Sequence, residues 1–318
     1  MSEAGGSTPE LQRIVAVDWS GDRSAAGQRK KIWAGVWTRD ATGRVAGGSV
    51  RLESGRTRVQ LVEWLIDLAH ETPRMVVGID CCFSFPAWFL AEHGCGTVFD
   101  FWTNVADGRG EEWLHRDCAD ARFWGVTGIG RNGKRPAEFW GDGARRMMRS
   151  TDWENKIAVR QEGGETGRAE KMRGITPKSP FQIGGSGSVG TGSLRAMPAL
   201  RSLRAAGFRV WPFESAQLDG RKPKPLLIEM YARLLTGPVA KRNTAARRAY
   251  LSAKRKLDDA YARLSPNVLM KAYASEDAFD ALVCCLEMVR WRNEFTRLRA
   301  TADETLRLEG ITWWPGVQ

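Results

Sequence analysis

The chain has 318 residues, 42% apolar and 27% charged, enough to bury one large core or two modest ones, and it contains no apolar run near the roughly 20 residues that cross a bilayer. Six cysteines without a CxxC pair and only three histidines exclude a zinc site of ordinary spacing. A net charge of +11 and a pI near 9.7 favour a polyanionic partner, nucleic acid above all, over a membrane or a basic ligand.

The opening MSEAGGSTPE lacks the apolar h-region of a secretory signal, so the expected location is cytoplasmic. Residues 1–10 are small and polar and are expected to be disordered, leaving 11–318 as a single domain. RIVAVDW (13–19), KIWAGVW (31–37) and RVAGGSVRL (44–52) are β-rich runs separated by turn-rich segments, which predicts three strands at hairpin-like spacing. RTRVQLVEWLIDLAH (56–70) repeats its apolar groups with helical period, and MVVGID (75–80) is short and wholly apolar until its last residue, as in a buried parallel strand. Pro86 suits the start of the helix AWFLAEHG.

From about 97 to 190 the periodicity fades into a Gly-, Arg- and Trp-rich stretch, expected to be an insertion of short helices and long loops. Of the 14 tryptophans most are expected in the core, with base stacking the minority role. Regularity returns in the helix 193–207, the strands FRVWPF (208–213) and PLLIEMY (225–231), and the basic helical region 241–264. A helix opening at Ser275 follows, and ITWWP (311–315) suits an edge strand. Cys81–Cys82 and Cys284–Cys285 lie in apolar runs and read as reduced core thiols. The fold class is therefore α/β: a mixed sheet, three antiparallel strands then parallel ones, flanked by helices.

Three carboxylates fall late in apolar strands: Asp18, Asp80 and Glu229. Any one of them can be a salt-bridge partner or a turn cap, but a carboxylate is costly to bury alone, and ligands gather at the carboxyl ends of parallel strands. Asp277 and Asp280 lie one turn apart after the N-cap Ser275, bordering the stripe Ala278, Ala281, Leu282, Cys285, Met288 and Val289. Complementing the helix dipole, worth about 0.3–1 kcal/mol, accounts for Asp277 better than for Asp280. Four or five convergent carboxylates suit two magnesium or manganese ions about 4 Å apart and an in-line phosphodiester displacement.

GGSGSVGTGS (184–193) holds Gly185, Gly187 and Gly190 in G-x-G-x-x-G spacing before a helix, a candidate phosphate cradle with Lys178 just upstream. Pro180 makes the preceding segment a poor central strand, which argues against a dinucleotide site. Lys241, Arg242, Arg247 and Arg248 open a basic run without acids, either a solvated face or a track for a phosphate backbone.

The strand order, with Asp18 on the first strand, Asp80 on the fourth and Asp277 opening a late helix, resembles the RNase H-like nuclease fold. The pair Asp277 and Asp280 looks like the paired aspartates of the Holliday-junction resolvases of that superfamily. VAVDWSG, VVGIDCCFSFP, PKSPFQIGGSGSVGTGS, FRVWPFE, LLIEMYAR and SEDAFDALVCC together resemble an uncharacterised bacterial domain-of-unknown-function family of predicted RNase H-like nucleases, over roughly residues 12–292. The resemblance implies a metal-dependent nuclease with Asp18, Asp80, Glu229 and Asp277 as catalytic metal ligands and Asp280 as a further one. The same fold also carries ATPases and sugar kinases, so two alternatives stand beside it. One is a magnesium-nucleotide-dependent phosphotransferase or ATPase; the other is a nucleic-acid-binding protein without catalysis.

Overall fold

The structure, a computed structural model, describes residues 10–40, 48–126, 132–133, 135–154, 177–185 and 188–317. The predicted disorder of residues 1–10 falls, except for Glu10, outside the described residues. Six strands form the main sheet: β1 (Arg13–Asp18), β2 (Trp33–Thr38), β3 (Ser49–Glu53), β4 (Met75–Asp80), β5 (Arg209–Trp211) and β6 (Leu226–Met230). Their order is β3-β2-β1-β4-β6-β5. The β1–β2 and β2–β3 pairs are antiparallel, and the β1–β4, β4–β6 and β5–β6 pairs are parallel. This is the mixed sheet expected from the alternation of strands and helices. ITWWP does not form an edge strand; Trp313 alone bridges to Met230, just past the end of β5.

Helix α1 (Arg58–Glu71) starts with a capping box, in which Thr57 accepts from Gln60 N–H and the Gln60 side chain accepts from Thr57 N–H. It packs on one side of the sheet with α2 (Val189–Ala205). On the other side lies α5 (Glu276–Arg290), backed by α4 (Pro266–Ala274), which in turn meets α3 (Thr244–Leu257). Both faces of β1 are therefore covered. Val15 and Val17 join the cluster on the α1–α2 side, while Ile14 and Ala16 join the one on the α5 side, which is why the strand reads as an unbroken apolar run. The turn-rich segment after Asp18 holds one element the sequence pattern did not indicate, a short helix Ala25–Lys31 capped by Ser24.

Ser275 is the N-cap of α5, accepting from Ala278 N–H, as its position before the acidic turn predicts. The predicted buried stripe is real but too narrow, because every residue from Ala278 to Val289 is buried. Sandwiched between the sheet and α4, the helix has no solvent face in its middle. It also lies unusually close to the sheet: a Cβ on Gly35 of β2 would stand 2.3 Å from the carbonyl oxygen of Ala281.

The described part of the insertion contains the short helices Val98–Asn104, Gly110–Leu114 and Gly143–Arg146. They do not form an open array of loops. Phe85, Phe89, Phe101, Trp113, Phe123 and Phe181 stack into one aromatic cluster, with Phe89 and Phe181 centroids 4.9 Å apart. Among the described residues, no helix is long and apolar enough to cross a membrane.

Candidate functional site

Asp18 and Asp80 end neighbouring parallel strands whose register pairs Val17 with Ile79. Side chains alternate along a strand, so Asp18 shares a face with Ile14 and Ala16, and Asp80 shares one with Val76: the α5 face in both cases. Asp277 and Asp280, one turn apart at the N-terminus of α5, come to the same place. Asp18, Asp80 and Asp277 keep partial contact with solvent, whereas Asp280 is 1% exposed, inside the core rather than at its rim as the stripe suggested.

Each acid raises the proton affinity of others in the group. Burial, then Asp280, Asp80 and Asp277, hold the Asp18 carboxyl well above the usual range. Burial pushes Asp80 up to about 7, with Asp280 adding to the rise while Lys241 and the Ala232 N–H oppose it. Burial, then Glu276 and Asp280, lift Asp277 to about 6. The Asp280 carboxyl is also raised, by burial above all, against the pull of Lys241. These are the signs of carboxylates crowded together in a poorly solvated space.

The cation in the group is Lys241. Its ammonium is ion-paired with Asp280 Oδ2, and although burial works against its charge, Asp280, Asp18 and Asp80 together raise its pKa. Asp280 Oδ1, buried in the same place, has no hydrogen-bond partner. The donor set of hard carboxylate oxygens with an orphaned acceptor suits magnesium or manganese in chemistry and charge. As the side chains lie, however, no three acidic, histidine or cysteine groups among the described residues stand close enough to hold a metal ion. The ready-made pair of ion sites expected from the sequence is therefore absent from this arrangement.

Glu229 does not join the group. Leu227 of the same strand faces the α1–α2 side, Ile228 faces α5, and Glu229 follows Leu227. The β4–β6 register pairs Glu229 with Ile79 and Asp80 with Met230, so the position beside Asp80 on its own face is a methionine. All of the acceptor capacity of Glu229 is engaged. Arg149 donates from both terminal nitrogens, at 2.5 Å to Oε1 and 2.7 Å to Oε2. Thr312 Oγ1 donates to Oε1 at 2.6 Å and Phe83 N–H to Oε2 at 2.7 Å. Arg149 is 0% exposed and also donates to Asp152 from Nε at 2.8 Å. A carboxylate with four donors and a bidentate guanidinium is a structural ion pair and has no lone pair left for a metal.

A cleft of about 460 Å³ opens between these two groups, walled by Trp19, Asp22, Lys31, Asp80, Tyr231 and Arg149. Lys178, exposed, stands on its wall. Of the predicted phosphate cradle, Gly185 is exposed at φ +77°. Gly187 lies outside the described residues. Gly190 is a packing glycine: its N–H donates to the Gln182 carbonyl, and a Cβ there would stand 2.1 Å from the Pro180 carbonyl oxygen. The basic run divides as well. Lys241 is in the acid group, and Arg247 is 4% exposed, donating to the carbonyls of Lys241 and Tyr273. Arg242 and Arg248 are exposed, the latter 4.4 Å over the Tyr273 ring. Two of the four predicted phosphate contacts from this run are thus interior groups.

Sequence reasoning missed Arg149 and the placement of Lys241. Each sits in an Arg- or Lys-rich stretch where nothing in the local pattern separates a buried cation from a solvated one. Compared with protein-family models, curated proteins and solved structures, the chain matches none.

Proposed function

We propose that this protein is a metal-dependent phosphodiesterase of RNase H-like architecture, acting on DNA or RNA at the group formed by Asp18, Asp80, Asp277 and Asp280. One observation carries the reading: four carboxylates from β1, β4 and α5 converge at the carboxyl ends of parallel strands, with one ammonium among them and one buried oxygen unpartnered. Such crowding raises every acid's proton affinity, and a divalent cation relieves it more effectively than protons do at neutral pH. The strand order, with acids on the adjacent first and fourth strands, supports the RNase H-like assignment.

In this reading Asp18, Asp80, Asp277 and Asp280 Oδ1 hold magnesium or manganese; Glu229, tied to Arg149, does not. When bound, the metal supplies a Lewis acid for the phosphate and a water of lowered pKa. The Ala232 N–H fixes the Asp80 carboxylate, and Asp80 presents the group to the cleft. Lys31 and Lys178 on the cleft walls attract the phosphate backbone, and the net charge of +11 steers a polyanion towards the surface.

The test is a cleavage panel of single-stranded, duplex and branched DNA and RNA, in magnesium and in manganese. Wild type is expected to cut at least one substrate. Asp18→Asn should lose more than about 100-fold, the upper range for disturbing merely the partners of metal ligands. Undiminished cutting by that variant removes the proposal. Stabilisation by magnesium-ATP, with no response to any oligonucleotide, would instead favour a phosphotransferase using the same acids.

A further inference from the structure

We propose that Lys241 stands permanently in place of a second cation, so that the acid group takes a single divalent ion. The inference rests on the phosphodiesterase reading above and makes its metal requirement specific.

Four features of the group lead there. Glu229 faces the other side of the sheet, which removes one of the carboxylates a two-ion site would draw on. Asp280 has committed Oδ2 to the Lys241 ammonium and has only Oδ1 to offer, buried and without a partner. The ammonium acts on the whole group and not on Asp280 alone, favouring the charged forms of Asp18, Asp80 and Asp277 as well. It is thus a compact cation placed where all four acids feel it, and a second divalent ion would meet its repulsion.

The backbone also holds Lys241 firmly. Its N–H donates to the Val239 carbonyl, and its own carbonyl accepts from Arg247. Arg247 is buried and also donates to Thr244 Oγ1 and the Tyr273 carbonyl, which joins the segment to α3 and α4. A loose surface lysine would be displaced by an arriving metal. One anchored through a buried arginine keeps its place beside Asp280, leaving Oδ1 and the other three acids to share one ion.

Counting bound manganese on the full chain by titration calorimetry and by electron paramagnetic resonance, after removal of metal with a chelator, tests this directly. Wild type is expected to bind one Mn2+ per chain. Lys241→Met is expected to bind two, and Lys241→Arg, which keeps the charge, again one. Lys241→Gln, which keeps a donor to Asp280 without the charge, serves if the methionine variant does not fold, and should also bind two. Two ions on the wild type overturn the inference while leaving the phosphodiesterase reading intact. One ion on every folded variant overturns it as well, since the lysine would then exclude nothing. No manganese on the wild type at millimolar concentration removes both the inference and the metal-dependent reading beneath it.

Discussion

Glu229 and Asp80 sit on neighbouring parallel strands one register position apart, yet they belong to different chemistries. On the α1–α2 side, Glu229 meets a bidentate arginine, a hydroxyl and a backbone N–H, and is closed off. On the α5 side, Asp18, Asp80, Asp277 and Asp280 share one lysine and leave an acceptor empty. The first arrangement holds the insertion to the sheet, since Arg149 comes from one and Glu229 from the other. The second leaves charge in excess, which is a cost to the fold and the precondition for binding a cation. The comparison teaches that a buried acid at a strand end becomes a structural group or a candidate ligand according to what reaches it from elsewhere in the chain.

Breaking the closed side should have the larger effect on the fold. Arg149→Met leaves Glu229 and Asp152 buried without their cation and is expected to cost about 3–5 kcal/mol, seen as a large fall in the urea midpoint. An unchanged midpoint would show that the pair does not join insertion and sheet. The open side should respond in the opposite direction. In chelator, Asp18→Asn removes one of the crowded charges and should raise stability by about 1 kcal/mol, roughly 2 °C in Tm, while cleavage is lost. A fall of similar size would mean that Asp18 is a structural acid like Glu229.

The smallest effect is a pH dependence confined to the open side. Asp277 and Asp80 are raised to about 6 and about 7, so the folded chain keeps protons that the unfolded chain releases near pH 4. Their contribution to stability is then full below about pH 4 and is lost as pH rises through 6 and 7. In chelator, Tm should therefore decline between about pH 5 and 8, and manganese should flatten the decline by holding the acids in their charged forms. Identical slopes with and without manganese would separate the acids from metal binding.

Much of this comparison was open to a reader of the sequence, and the reasons are local. RIVAVD and MVVGID are runs that can only be strands buried on both faces, and each ends in its acid, so Asp18 and Asp80 were placed by the strands themselves. Ser275 three residues before Ala278 announced both the start of α5 and the turn that carries Asp277 and Asp280. Glu229 misled for the same reason that Asp18 and Asp80 did not: LLIEM is apolar on both faces and has no alternation to show which face its acid takes. The glycine-rich loop misled because G-x-G-x-x-G is also what close packing requires, as Gly190 against Pro180 illustrates.

The sequence by itself determined the strands, the helix α5 and the positions of the acids along them, because periodicity, capping and burial act over a few residues. The tertiary structure alone decided which face Glu229 takes, and that Arg149 closes one group while Lys241 enters the other. Register and counter-ion choice depend on contacts between distant segments: Arg149 reaches Glu229 from 80 residues away and Lys241 reaches Asp280 from 39. A charge is stabilised by whatever lies within a few ångströms of it, and no local pattern records which distant cation that will be.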